Sequence, residues 1–381
     1  MIDIREILCN NVLAGNVTGN DTGNGTGKDT ETLKDSPFPV MPKKKRTVTI
    51  QDVAKEAGVS VSTVSRVLNA KVDVASDTQE RVLTVIDQLG YTSNLAARSM
   101  RSRRNNLLGL VVPDIGFPYS IEIMKGVDRA ISESVFDLLL YTTGGIHKPG
   151  TASREHHYVS LLNNSLTDGV LVVASSASEF VTNGPIVAVD PHLIDPNYPS
   201  VQGTNYQGAL DAMNYLIELG HRRIGFIGGR QEIMSSGRRL KGYRDALNQA
   251  GIEIDEALVV PGDFSTRTGH KQALKLLSLA DPPTAIFASN DQSAIGVLRA
   301  TEELKLHVPE DVSLVGFDNI SEAGYFGLTT IDQHLAEMGY IATQMLIKLV
   351  NGETLNSKVH KMPTQLVERK SCVSIKTKLK L

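Results

Sequence analysis

The chain has 381 residues, 41% of them hydrophobic, so it is long enough for two or three cores. It has no run of about 18 apolar residues to suggest a membrane span. The apolar stretch at residues 7–13 is broken by Cys9, Asn10 and Asn11, unlike a signal peptide, and the two cysteines, Cys9 and Cys372, fit a reducing cytoplasm better than a disulfide framework. The net charge of −3 hides an asymmetry: residues 43–104 carry 12 Lys/Arg against 6 Asp/Glu, while residues 105–381 carry 24 against 30. A basic module joined to an acidic body suits phosphate contacts at one end, although an ordinary solvated surface has the same counts.

Residues 1–46 read as a disordered tail. Gly, Asn and Thr dominate residues 15–35, which hold too few apolar groups to offset their ordering entropy. Asn-x-Thr triplets at Asn16, Asn20 and Asn24 follow from that composition, and Met41 is a candidate start. Lys43-Lys44-Lys45-Arg46 reads as a basic arm for phosphates or a solvated tail.

From Thr49 the pattern becomes helical. Ile50, Val53, Ala54 and Ala57 fall at i, i+3, i+4 and i+7, with Thr49 placed to cap them. Gly58 permits a left-handed exit, Ser60 can cap a second helix, and Val64, Val67 and Leu68 give that helix its buried stripe. Two short amphipathic helices separated by Gly-Val-Ser have the spacing of a helix-turn-helix. A third helix is predicted from Ser76, with Ser76 and Gln79 as a capping box, through Val82, Val85, Ile86 and Leu89 to Gly90.

Beyond Leu107, short apolar runs alternate with helical patterns. The runs are 107–112, 138–142, 170–173, 186–189, 224–228, 285–288 and 313–317; the helical patterns are 121–132, 208–219, 239–249, 268–279, 291–304 and 335–350. This rhythm predicts βαβ units with parallel sheets. Some 270 residues of it exceed one core, so two lobes with a ligand cleft between them are expected. No Gly-x-Gly-x-x-Gly follows a strand, and there is no Walker loop or His-Glu-x-x-His, which argues against an enzyme. His156-His157 is an isolated pair that needs no metal; no cofactor or metal is expected.

The run Thr49-Ile50-x-Asp52-Val53-Ala54-x-x-Ala57-Gly58-Val59-Ser60-x-x-Thr63-Val64-Ser65-Arg66-Val67-Leu68-Asn69 strongly resembles the DNA-binding segment of the lactose-repressor (LacI/GalR) family. The likeness continues through Gly90-Tyr91, Ala97-Arg98-Ser99, Leu219-Gly220-His221-Arg222-Arg223, Asn290-Asp291, residues 308–318 and Leu328-Thr329-Thr330-Ile331, so it spans roughly residues 47–375. It implies an N-terminal all-α helix-turn-helix domain (47–92), a hinge (93–105) and a two-lobed periplasmic-binding-protein-like α/β domain (106–375). The expected first lobe takes about 106–203 and 332–352, the second about 204–331 and 353–375, and residues 376–381 form a tail.

By that resemblance the protein is a transcriptional regulator in the cytoplasm, binding a palindromic operator in double-stranded DNA as a homodimer. It would be switched by a small effector, a sugar or oligosaccharide. A purine corepressor and a solute-binding protein without transcriptional response are the alternatives. Val61, Ser62 and Arg66 would meet base edges, with Arg66 able to form a bidentate pair to guanine. Gln51, Ser60, Thr63, Ser65, Asn69 and Tyr91 complete the expected DNA contacts. The hinge would enter the minor groove through Asn94, Ala97 and the apolar wedge Met100, although Ser93 stands where the family often has Pro. Tyr119, Ser120, Asp190, Arg239, Phe264, Asn290 and Asp318 would bind the effector. The segment 203–208 departs from the family's commoner Asp-Asn-x-x-Gly, a feature reminiscent of regulators of plant-polysaccharide breakdown.

Overall fold

A computed structural model describes residues 48–68, 74–91, 104–144, 150–163, 166–177, 179–193 and 196–375. The chain divides into two compact units at Thr92/Ser93. Among the described residues no helix is long and apolar enough to cross a membrane.

The first unit holds α1 (Ile50–Glu56), α2 (Val61–Leu68) and α3 (Ser76–Leu89). Thr49 and Asp52 form a reciprocal capping box at α1: the Asp52 carboxylate accepts from the Thr49 backbone N–H at 2.8 Å, and the Thr49 hydroxyl accepts from the Asp52 N–H. Ser60 Oγ accepts from the Thr63 N–H at 3.1 Å and so caps α2. Gly58 takes φ +64° between the two helices, and Gly90 ends α3 in the left-handed conformation. Val53, Ala54, Ala57, Val64, Val67, Val82 and Val85 form a core shared by all three helices. The expected capping box at Ser76 and Gln79 is absent. Ser76 already lies inside the helix, Ala75 is the flanking residue and makes no side-chain cap, and its carbonyl accepts the Gln79 N–H.

The second unit has two lobes. In the first, β1 (Leu107–Val112), α4 (Pro118–Ser132), β2 (Asp137–Thr142), α5 (Thr151–Asn163), β3 (Gly169–Val173), β4 (Ile186–Val189) and β5 (Ser200–Gly203) follow in order. The second contains α6 (Asn205–Glu218), β6 (Ile224–Ile227), α7 (Met234–Gln249), β7 (Val259–Val260), α8 (Thr266–Leu277), β8 (Ala285–Ala288), α9 (Asp291–Glu303), β9 (Ser313–Asp318), α10 (Ser321–Tyr325) and β10 (Thr329–Asp332). The chain then returns to the first lobe for α11 (Leu335–Val350) and β11 (Val359–Met362), and ends in the second with β12 (Gln365–Val367). The sheet orders are β11-β5-β4-β3-β1-β2 and β12-β10-β9-β8-β6-β7, with every pairing parallel except that of β12 with β10. Their central strands are apolar on both faces because helices cover both sides.

Residues 353–362 correct the expected lobe boundary. They belong to the first lobe, because Val359–Met362 pairs in parallel with Ser200–Gly203. The backbone therefore crosses between lobes near residues 204, 333 and 363. On α11, Leu335, Met338, Ala342 and Leu346 repeat at helical spacing and enter the core of the first lobe. Leu335, Met338 and Leu346 each contribute roughly 1.5–3 kcal/mol by burial. A Cβ on Gly126 would lie 1.6 Å from the Ala336 carbonyl oxygen, and one on Gly339 2.2 Å from that of Ile123. These two glycines let α4 and α11 pack backbone against backbone.

Candidate functional site

The two parallel sheets of the second unit direct their carboxyl ends at a common cleft, where open α/β sheets place ligands. Pro113 follows β1, Ala174 follows β3 and Asp190 follows β4; from the other lobe come Asn290, just after β8, and Asp318, the last residue of β9. Phe117, Tyr119, His192, Ile233, Ser235, Arg239 and Phe264 complete the wall of one cavity, whose empty space including its mouth is ≈ 480 Å³. Ala174, Asp190, Phe264 and Asp318 all have positive φ, at 52°, 46°, 70° and 113°. Non-glycine residues rarely accept that conformation, and its concentration here marks a site held against backbone preference.

Arg239 is the electrostatic centre and is only 3% exposed. Its Nε donates to Asn205 Oδ1 at 2.8 Å, and its Nη1 donates to the Ser289 carbonyl and lies 3.4 Å from Asp318 Oδ1. The guanidinium stacks 3.8 Å above the Phe317 ring and 5.8 Å from that of Phe264. Gln333 Nε2 donates to Asp318 Oδ1 at 2.7 Å. Burial pushes the Asp318 carboxyl up to about 7, with Arg239 and Gln333 opposing the rise and Asp190 adding to it. Across the cleft the Tyr119 hydroxyl donates to Asp190 Oδ2 at 3.2 Å. Burial, then the charges of Asp190 and Asp318, hold the Tyr119 phenol far above its ordinary value, so it stays a neutral donor. Burial also lowers His192, leaving its imidazole uncharged at neutral pH.

Tyr119, Asp190, Arg239, Phe264, Asn290 and Asp318 thus meet at one cavity. Ser120 does not line it: the residue is fully buried and its Oγ finds no partner. Successive helical residues point about 100° apart, so Tyr119 faces the cleft while Ser120 faces the lobe interior. Asn290 lines the cavity with its polar groups engaged, accepting from the Ser293 N–H and donating to the Phe264 carbonyl. It holds Phe264 in place. The Phe264 ring lies so close to Gly229 that a Cβ there would sit 2.1 Å from it. Sequence reasoning missed Phe117, His192, Ile233 and Ser235 in the wall, and Asn205 and Gln333 behind it. His156 and His157 lie apart from the cleft residues, against Phe180 and Tyr158.

In the first unit Gln51, Ser60, Ser62 and Arg66 are exposed, while Val61, Thr63 and Ser65 are half-buried. The Ser60 hydroxyl is 2.7 Å from that of Ser62 and 2.8 Å from that of Thr63. Val61 and Tyr91 pack partly against the three-helix core. Asn69, Asn94, Ala97 and Met100 lie outside the described residues.

A helix-turn-helix carried by a two-lobed ligand-binding body defines a class of DNA-binding regulator. The chain matches the family model for bacterial regulatory proteins of the lacI family over residues 49–94, and that for a periplasmic binding protein-like domain over residues 213–372. It is 32% identical over 336 residues to catabolite control protein A of Priestia megaterium, covering 85% of this chain and 99% of that protein. The cellobiose complex of the transcriptional regulator CelR superposes with a TM-score of 0.62 at 32% identity, covering 85% and 99% of the two chains. A lac repressor dimer bound to operator and the anti-inducer ONPF gives 0.74 at 25% identity, covering 86% and 100%. The chain belongs to the LacI family of bacterial regulatory proteins, and is a DNA-binding transcriptional regulator rather than an enzyme.

Proposed function

We propose that this regulator is a repressor that binds a palindromic operator as a homodimer in the cytoplasm and is switched by a neutral sugar or oligosaccharide held in the cleft. The observation that carries the ligand class is the meeting of aromatic faces and carboxylates from both lobes in one cavity. Tyr119 and Asp190 face Phe264, Arg239 and Asp318 across it. Carboxylates and a guanidinium pair with adjacent hydroxyls, and aromatic rings pack against sugar C–H bonds. The cellobiose held by CelR is in keeping with this reading.

Operator recognition is assigned to Val61, Ser62 and Arg66, at and beyond the N-terminal end of α2, with Gln51, Ser60, Thr63 and Ser65 near phosphates. Asn69, Tyr91 and the hinge residues Asn94, Ala97 and Met100 complete the assignment by family resemblance. For the dimer, Ile121, Tyr325 and Phe326, large apolar side chains exposed by 39%, 87% and 54%, are assigned as candidate subunit contacts. The lac repressor dimer on its operator supports the same arrangement.

A thermal-shift screen of the full chain against mono- and oligosaccharides and purines tests the ligand class. A saccharide at about 100 times its Kd should add about 2.7 kcal/mol of stability and raise the melting temperature by a few degrees. A shift with a purine alone, or with no compound, contradicts the reading.

A further inference from the structure

Outside the pocket, one cluster of charged and polar side chains joins the lobes. The Glu122 side chain on α4, in the first lobe, is 14% exposed, and its Oε1 accepts from both the backbone N–H and the hydroxyl of Ser321, the first residue of α10 in the second lobe, at 3.1 and 2.6 Å. Lys125, one turn along α4, pairs with Glu122 at 2.8 Å and donates to Ser321 Oγ at 3.0 Å. We propose that Glu122 is a positioning residue, the jaw of an interlobe clamp that sets the separation of the two effector-binding walls.

Both ends of the clamp are tied to the cavity over three residues. Glu122 lies almost one helical turn beyond Tyr119, whose hydroxyl holds Asp190. Ser321 lies three residues beyond Asp318, and the intervening backbone is fixed from its own lobe. The Ile320 N–H donates to Asp291 Oδ2 at 2.9 Å, and Asn319 Oδ1 accepts from Arg369 at 2.7 Å. Asn319 itself has a φ of +55°. A pull on Asp318 or Tyr119 is therefore transmitted to the clamp through short, hydrogen-bonded segments rather than across a soft loop. Glu122 accepts two hydrogen bonds across the cleft as an ionised group, and such bonds are stronger than neutral ones.

The regulatory meaning of the clamp rests on reading the cleft as the effector site, but its existence can be tested without a ligand. The test is amide hydrogen exchange on the unliganded full chain, comparing wild type with Glu122→Ala, Glu122→Gln, Ser321→Pro and the Ala/Pro double variant. Proline removes both Ser321 donors and suits the first position of a helix, and Ile320 at φ −64°, ψ 160° suits the residue before it. Glu122→Ala and Ser321→Pro should each speed exchange about tenfold, both in residues 319–325 and in the far wall around Asp190–His192. The double variant should be no faster than either single one. Glu122→Gln, which retains an acceptor oxygen, should stay within about threefold of wild type, and strand 285–288 should be unaffected. Wild-type rates in the far wall, with change confined to residues 319–325, would overturn the proposal, as would rates that multiply in the double variant. A failed ligand screen would leave these outcomes unaltered.

Discussion

Arg239→Met should destabilise the protein by about 3–5 kcal/mol near pH 8 and abolish ligand binding in the cleft. Methionine fills similar volume but leaves Asn205 Oδ1 and the Ser289 carbonyl without their buried donor, and Asp318 without the guanidinium 3.4 Å away. The loss should depend on pH in a definite direction. Asp318 has a folded-state value of about 7, above its ordinary 3.8. The folded state therefore holds a proton that the unfolded chain has already released. Stability from this group is complete at acid pH, falls as pH rises from about 4 to about 7, and is level above that. Without Arg239 the carboxyl rises further and the fall extends past pH 7. Urea unfolding at pH 6 and pH 8 should show a larger deficit at pH 8, where an ionised Asp318 has lost its cation. Equal deficits at the two values would contradict the assignment of Arg239 as its counter-charge.

Arg66→Ala should lower the preference for operator over unrelated DNA by about five- to 150-fold for each half-site. One bidentate arginine–guanine pair is worth roughly 1–3 kcal/mol of discrimination. Arg66 is exposed and sits away from the stripe of Val64 and Val67, so helix packing and melting temperature should hardly change. Binding-site selection followed by titration on selected and scrambled duplexes measures the ratio. An unchanged ratio would remove Arg66 from the reading of bases.

The helix-turn-helix was legible because its determinants are local. Thr49, Gly58 and Ser60 act on backbone within a few residues, and the apolar stripe of each helix recurs at 3.6-residue spacing. The Ser76 misreading shows the limit of that approach: a serine one place inside a helix has the same local sequence as one at its cap. Strand 359–362 was missed because its side chains are mostly exposed or half-buried, and only pairing with distant residues 200–203 makes it a strand. Tyr119, Asp190, Arg239, Phe264, Asn290 and Asp318 could be named only through the family resemblance, and the fold brings all six to one cavity. Phe117 and His192 carry no such mark. Gln333 and Asn205 act from behind, through Asp318 and Arg239, and nothing in their neighbouring residues announces it. Glu122 and Ser321 are 199 residues apart in sequence, so no local pattern could join them.

A ligand in the cleft should change the affinity of the helix-turn-helix for its operator. The most direct test is a titration of the selected operator with wild-type protein and with Asp318→Ala, each with and without the sugar that stabilises the wild type. The wild-type affinity should change by about five- to 150-fold on adding the sugar, and the Asp318→Ala affinity should not change. A sugar that binds the wild-type cleft yet leaves operator affinity the same would rule out coupling between the cleft and the helix-turn-helix.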